Sequence, residues 1–287
     1  MRVEIEIFRI LSAFGIVWFH SGIDIGRDIA YGGLIYFLII SAYFATISTR
    51  SHSIIERAER LLIPFLLWSL FYGSIHFITK GYFFPENYTF VSKVLASPSI
   101  HLWFLPFVFF SLIAIDNLRQ IISKKWVVTA IGLTAISLIL FSPKWREISF
   151  IPPLGQYIHA FPAILIGIFL GVMHQIRIKW ILIIGIIASI VIMIYKKEPG
   201  VGIPYLTGFI PCYFLFKGNR INNKKSLLLN ISSATYGVYL LHVFIFLILI
   251  KFDISGILLP VLVFILSLLS VVTLKKYIPN KFIKYVM

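Results

Sequence analysis

Apolar residues form ten long runs along the chain, separated by short stretches that carry charge, proline or glycine. The runs cover residues 7–23, 31–48, 61–79, 102–118, 126–142, 157–173, 179–195, 201–217, 234–251 and 255–274. Each run approaches the length of about 20 residues that an α-helix needs to cross the hydrocarbon core of a membrane. The pattern therefore predicts an all-α fold, a polytopic membrane bundle of about ten transmembrane helices. Residues 1–287 are expected to form a single integral membrane domain.

The composition argues against most soluble classes of protein. Hydrophobic residues make up 59% of the chain and charged residues only 13%, whereas about a quarter of a soluble domain is charged. A soluble enzyme, a nucleic-acid-binding module and a secreted disulfide scaffold are all disfavoured, because too few polar side chains remain to cover a core. The single cysteine, Cys212, permits no internal disulfide and no cysteine metal cluster.

The basic residues predict an orientation in the membrane. An even number of spans places both termini on one side, and 17 of the 26 Lys and Arg residues fall on that side, against 8 on the other, with Arg9 inside the first run. Lys and Arg concentrate in cytoplasmic loops, so both termini are expected to be cytoplasmic. This distribution also explains the net charge of +15 without a nucleic-acid partner. The 17 residues are Arg2, Arg50, Arg57, Arg60, Arg119, Lys124, Lys125, Arg177, Lys179, Lys217, Arg220, Lys224, Lys225, Lys275, Lys276, Lys281 and Lys284.

Two ionisable residues lie inside the first run. Arg9 and His20 are eleven residues apart, which is about 20° beyond three full turns of helix, so both face the same way. Asp24 follows His20 by four residues, where a carboxylate on the same face would orient the imidazole. Charged groups at membrane depth are costly and often mark a functional cavity. The alternative is a packed histidine and an arginine that reaches the lipid headgroups. The first run is not a signal peptide, because it contains both residues and no small-residue cleavage site follows.

A basic pair precedes the third run. Arg57 and Arg60 have a helical spacing of three, and two forked guanidiniums at such a position could bind phosphate. Alternatively, the pair anchors the helix at the cytoplasmic surface and pairs with Glu56 and Glu59.

Two further polar motifs lie at other spans. His101 and Trp103 open the fourth run and could line an outer entrance, although a tryptophan here is also typical of the interfacial belt. Tyr239 and His242 continue a polar stripe from Tyr236 into the ninth run. The stripe could line a substrate path or hydrogen-bond neighbouring helices.

Taken together, these motifs resemble acyltransferase family 3, a family of integral membrane proteins of about ten spans. The first motif is an arginine, ten residues and a histidine, matched by Arg9 and His20, and the second is the Arg-x-x-Arg motif of Arg57 and Arg60. The third and fourth are His-x-Trp-Phe-Leu and Ser-x-x-Tyr-Gly-x-Tyr-Leu-x-His, matched at residues 101–105 and 233–242. Ser41-Ala42-Tyr43 departs from the family's Ser-Gly-Phe. The fused esterase-like domain of longer members is expected to be absent, because the chain ends soon after the tenth run.

The resemblance implies a membrane O-acyltransferase. Such an enzyme moves an acetyl group from cytoplasmic acetyl-CoA to a sugar hydroxyl of a cell-envelope polysaccharide or its lipid-linked precursor, in the inner membrane of a bacterium. No metal is expected. The expected partners are acyl-CoA, the sugar acceptor and the lipid bilayer, with no nucleic acid, and a homo-oligomer is left open. The rival is a carrier or flippase for a lipid-linked sugar, but the related halves of many transporters are not found in the sequence.

The site residues expected from this resemblance and from the spacing above fall into three groups. The catalytic residues are His20 and Asp24; the acyl-CoA-binding residues are Arg9, Arg57 and Arg60; the acceptor-binding residues are His101, Trp103, Tyr239 and His242.

Overall fold

The fold is all-α, as the hydrophobic pattern predicts. The computed structural model describes residues 2–50, 52–217 and 227–278, and these residues contain α-helices and short 3₁₀ helices but no β-strand. Five residues of the predicted cytoplasmic set lie outside the described residues: Arg220, Lys224, Lys225, Lys281 and Lys284.

The described residues contain twelve α-helices. These are α1 (Val3–His20), α2 (Arg27–Ile47), α3 (Ile54–Lys80), α4 (Phe90–Ala96), α5 (Phe104–Ile122), α6 (Lys125–Leu140), α7 (Ser142–Arg146), α8 (Leu154–Val172), α9 (Lys179–Tyr195), α10 (Gly202–Phe209), α11 (Leu227–Ile250) and α12 (Leu258–Tyr277). Short 3₁₀ helices cover Ile100–Trp103, Met173–Gln175 and Ile210–Leu215.

Every one of the ten predicted runs overlaps a helix, but the helices differ in length. Within the described residues, six helical segments are long and apolar enough to cross a membrane: α2, α3, Ile100–Ile122, Leu154–Gln175, α11 and α12. The apolar helices α6, α9 and Gly202–Leu215 are shorter. Helix α1 has 18 residues and carries Glu4, Glu6 and Arg9, which lowers its apolar character. The count of ten spans and the cytoplasmic termini therefore stay predictions.

The chain divides into two compact units. One contains Met1–Phe37 and Ile203–Met287, and the other contains Leu38–Gly202, so that the division falls inside α2. We call them the terminal unit and the central unit.

In the terminal unit, α1 packs against α11 and α12, which pack against each other. Lys275, near the end of α12, donates to the carbonyl oxygen of Ser233, near the start of α11, at 2.6 Å, so these two helices are antiparallel. Helix α1 runs parallel to α11, because Glu6 contacts Ser232 near the start of both helices and the end of α1 meets α11 farther along. Successive spans of the predicted bundle alternate in direction, so the first and ninth runs cross it in the same direction. The parallel arrangement of α1 and α11 agrees with this pattern.

Glycines allow α1 and the first part of α2 to approach closely. A Cβ atom at Gly33 would lie 2.4 Å from the carbonyl oxygen of Ser12, and one at Gly15 would lie 2.6 Å from that of Ala30. Any larger residue at these positions would push the two backbones apart, so glycine is required there. Small residues at helix crossings are typical of membrane proteins, in which close packing takes over part of the role that the hydrophobic effect has in water.

In the central unit, α6 packs on α8 and α9, and α3 packs on α5. Fully buried side chains on the first three of these helices include Ile139, Phe169 and Ile190. The segment between α3 and α5 contains α4 and the 3₁₀ helix Ile100–Trp103. The hydroxyl of Ser92 on α4 donates to the carbonyl oxygen of Pro152 at 2.5 Å and joins this segment to the one before α8.

The topology can be tested with reporter insertions. A reporter after Lys284 is expected in the cytoplasm, and one inserted between Glu86 and Asn87 is expected on the outer side, because the basic residues favour that orientation. An insertion after Arg177 serves as the matched cytoplasmic control. Protease protection or alkaline phosphatase activity would read out the side of each reporter, and finding the first two on one side would exclude the ten-span arrangement.

Candidate active site

The first candidate residue, His20, lies at the end of α1. The helix stops there because Gly22 adopts a φ of +73°, a left-handed conformation that glycine accepts without strain. The backbone N–H of Ser21 donates to the carbonyl oxygen of Trp18 at 3.0 Å, and the Trp18 indole N–H donates to the carbonyl oxygen of Ile25 at 2.8 Å. These bonds fix the turn after the helix, and the His20 side chain is exposed at its edge.

His20 meets a second histidine from the other end of the chain. The ring centroids of His20 and His242 are 5.1 Å apart, with 45° between the ring planes. His242 is fully buried on α11, and its Nδ1 atom lies 2.7 Å from the carbonyl oxygen of Tyr239. The Tyr239 ring is 6.1 Å from that of His242. The structure thus brings together three of the predicted site residues, although the sequence did not indicate that the two histidines touch.

The other end of α1 carries a buried carboxylate. The Glu6 side chain is only 2% exposed, and its Oε2 atom accepts hydrogen bonds from Arg9 at 3.0 Å and from the Ser232 hydroxyl. Burying a carboxylate is costly unless such donors compensate for the lost water. These bonds hold Arg9 in place while 29% of its side chain stays exposed. Sequence reasoning missed Glu6 and Ser232, although the spacing of three between Glu6 and Arg9 was readable.

The predicted helical pairing of His20 with Asp24 is wrong. That expectation required α1 to continue through Asp24, but the helix ends at His20. The Asp24 side chain is 97% exposed, and a carboxylate oxygen lies 4.0 Å from the Arg27 guanidinium. A solvated carboxylate in a turn does not share a helical face with the imidazole, so the spacing argument for its role is lost.

Arg57, in the central unit, is committed to an internal ion pair. Its Nε and Nη2 atoms lie 3.1 and 2.9 Å from one carboxylate oxygen of Asp116 on α5. The other oxygen of Asp116 accepts from Arg119 at 2.9 Å, and Arg119 also donates to the carbonyl oxygens of Ala45 and Ser48 at the end of α2. The Asp116 side chain is 5% exposed and that of Arg57 is 12% exposed. The triad joins three helices, and sequence reasoning did not single out Asp116.

Arg60 differs from Arg57 because its side chain is exposed. Glu56, one of the two glutamates next to this basic pair, contacts Arg50 at 2.5 Å and closes a capping box with Ser53 at the start of α3. Of the two predicted phosphate ligands, Arg60 is therefore the one whose side chain reaches the surface.

His101 and Trp103 lie in the interior of the central unit, with 4% and 7% of their surface exposed. His101 Nδ1 is 2.8 Å from the Ser99 hydroxyl, and its ring is edge-on to that of Tyr72. Trp103 packs against Tyr157, with ring centroids 5.9 Å apart. The contacts are those of core residues rather than of an exposed entrance, and a role in acceptor binding stays a prediction.

The comparison with protein families agrees with the motifs. A family model described as an acyltransferase domain, that of acyltransferase family 3, matches residues 2–275, nearly the whole chain. The chain belongs to acyltransferase family 3. No curated protein and no solved structure matches it. With its apolar helices, the chain is a membrane protein of the acyltransferase 3 family, and both histidines of the terminal unit lie within the matched range.

The Arg57–Asp116–Arg119 triad predicts a clear order of stabilities for this acyltransferase-family protein. Asp116→Asn leaves two guanidiniums without their counter-ion, and we expect a loss of about 3–5 kcal/mol in unfolding free energy. Arg57→Ala should cost less, because Asp116 keeps its contact with Arg119. Thermal unfolding of the full chain in detergent measures both, with exposed Asp28→Asn as the control. An Asp116→Asn protein as stable as the control would show that the triad contributes little.

Proposed function

We propose that the protein is an O-acyltransferase of the bacterial inner membrane. It moves an acetyl group from acyl-CoA to a sugar hydroxyl of an envelope polysaccharide or its lipid-linked precursor. The observation that carries the proposal is the ring contact of His20, a residue exposed at the end of α1, with His242, in a protein of an acyltransferase family. A neutral imidazole has a lone pair on one ring nitrogen and can accept and release a proton during the reaction.

Arginine side chains are the proposed ligands of the donor. Arg9 is held by Glu6 near the start of α1, roughly 16 Å along the helix axis from His20, and 29% of its side chain is exposed. Guanidinium groups bind phosphate in a bidentate manner, so Arg9 is suited to a phosphate of acyl-CoA. In the central unit, Arg60 is the stronger candidate for the same chemistry because it is exposed, whereas only 12% of the Arg57 side chain is exposed.

The reaction needs one proton acceptor and no covalent enzyme intermediate. His20 takes the proton from the acceptor hydroxyl as the oxygen attacks the thioester carbonyl carbon. A C–O bond forms, the C–S bond breaks, and the CoA thiolate leaves. The proton returns from the imidazolium to the thiolate sulfur, which regenerates His20. The products are an O-acetylated sugar and free CoA.

A carrier or flippase for a lipid-linked sugar is the alternative from another class. Arg9 and His20 would then lie along a translocation path, as ionisable residues in membrane helices often do. Membership of an acyltransferase family favours the enzyme. Purified protein in detergent distinguishes the two, because only the enzyme releases free thiol from acetyl-CoA in the presence of sugar acceptors.

His20 provides the sharpest test of the mechanism. His20→Ala and His20→Gln are expected to lower turnover by about 10²–10⁴-fold, the range that general base catalysis supplies. The glutamine keeps a hydrogen bond but cannot take up the proton. Acetyl-CoA affinity should be unchanged, because the residue acts on the acceptor. Thiol release and calorimetric binding measure the two quantities, with exposed His174→Ala as the control. Near wild-type turnover in His20→Gln would remove this residue from the chemistry.

Arg60 provides a test of donor binding. Arg60→Lys keeps the charge but loses the forked geometry, so we expect acetyl-CoA affinity to fall about tenfold, the effect of roughly 1.5 kcal/mol from one charge-assisted hydrogen bond. Arg57→Ala should lower thermal stability more than donor affinity. Arg177→Lys, at an exposed arginine of the same unit, is the matched control. Unchanged affinity in Arg60→Lys would support a role as a membrane-surface anchor instead.

A further inference from the structure

We infer that His242 is a positioning residue for His20, which fixes the tautomer in which His20 acts as a base. The inference rests on the proposed function, in which His20 takes the acceptor's proton. It assigns to His242 a role different from the acceptor binding that the sequence motif predicts. The observation behind it is the contact of the two rings, 5.1 Å between centroids, at the end of α1.

The hydrogen bond of His242 to its own helix determines which ring nitrogen carries the proton. Nδ1 lies 2.7 Å from the carbonyl oxygen of Tyr239. A carbonyl oxygen can only accept, so Nδ1 must be the donor and must carry a hydrogen. In the neutral ring, Nε2 is then unprotonated and presents a lone pair. Because Nδ1 is bonded within α11, a hydrogen bond from His20 to this ring would use Nε2.

The ring contact brings the two imidazoles close enough for a hydrogen bond between them. Ring nitrogens lie at the edges of an imidazole, so two rings whose centroids are 5.1 Å apart can bring facing edges close to hydrogen-bonding distance. Catalytic hydrogen bonds are often long in the free enzyme and shorten when substrate binds. When His20 donates an N–H to Nε2 of His242, the other nitrogen of His20 keeps its lone pair. That nitrogen is the base.

This arrangement follows the usual design of a catalytic base, which a third group orients. The sequence suggested Asp24 for that task, but its side chain is 97% exposed in the turn beyond α1. His242 is fully buried on α11, where packing holds its ring in one position. During turnover His20 becomes doubly protonated and still donates to Nε2, then returns the proton to the departing thiolate. The protonation of His242 does not change.

Two variants separate a positioning role from packing. His242→Phe keeps an aromatic ring but removes the acceptor, and we expect turnover to fall about 10–100-fold, as when the partner of an oriented imidazole is lost. The KM for acetyl-CoA should not change. His242→Gln retains an acceptor oxygen and should recover part of the turnover. His174→Phe makes the same change at an exposed histidine and should behave as wild type. Equal losses in the Phe and Gln variants would indicate packing alone and overturn the inference.

A spectroscopic measurement tests the tautomer directly, without activity. In full-length protein labelled with ¹⁵N-histidine in detergent, the seven histidines give separable ring nitrogen signals, and His20→Gln assigns those of His20. One fixed tautomer of His20 is expected in the wild type and a mixture of tautomers in His242→Phe. The same His20 signals in both proteins would overturn the inference. If His20→Gln stayed active, the proposed base would fail, whereas the tautomer result would still report on the histidine contact.

Discussion

The terminal unit depends on one physical constraint: polar side chains in apolar helices need partners, which lie on the same helix or on a neighbouring one. In hydrocarbon, no water is present to satisfy a buried carboxylate or imidazole. Helix α1 meets this requirement at both ends by its contact with α11. Glu6 accepts from Ser232 near the start of the two helices, and His20 lies against His242 at the far end.

These two contacts define the register of α1 against α11. They are fourteen residues apart on α1, about 21 Å, so they also restrict rotation of one helix about its axis. A slide of one helical turn, about 5.4 Å, would separate both pairs at once. The arginine and histidine of the first motif are therefore held at defined positions by residues of the last motif, so residues from the two ends of the chain lie together.

In the central unit, polar side chains also have partners on other helices, but here the contacts are ion pairs. Asp116 is shared by Arg57 and Arg119, and Arg119 also covers the carbonyl groups at the end of α2. Such an arrangement stabilises the packing of three helices and uses much of the hydrogen-bonding capacity of Arg57. Arg60, three residues later on the same helix, is exposed. Two arginines of one short motif therefore differ in exposure, because the Arg57 side chain is largely buried and Arg60 is exposed.

The sequence by itself determined the helical class, the position of every long apolar helix and the family, because apolar runs and ordered motifs are local properties of the chain. The bounds of α9, Lys179–Tyr195, are those of the seventh predicted run. The sequence did not predict where α1 ends, which depends on a single turn, or which residues from distant parts of the chain come into contact. Gly22 ends α1 before Asp24, and helical periodicity cannot show where a helix stops.

Only the tertiary structure decided which polar residues meet. His20 and His242 are 222 positions apart in the sequence, and Arg57 and Asp116 are 59 apart. Helical spacing gives the face of each residue on its own helix, but the partner on another helix depends on how the helices pack. For this protein that packing determined the environment of each predicted site residue, because a buried polar group is stabilised by the neighbour it contacts and not by its position in a motif.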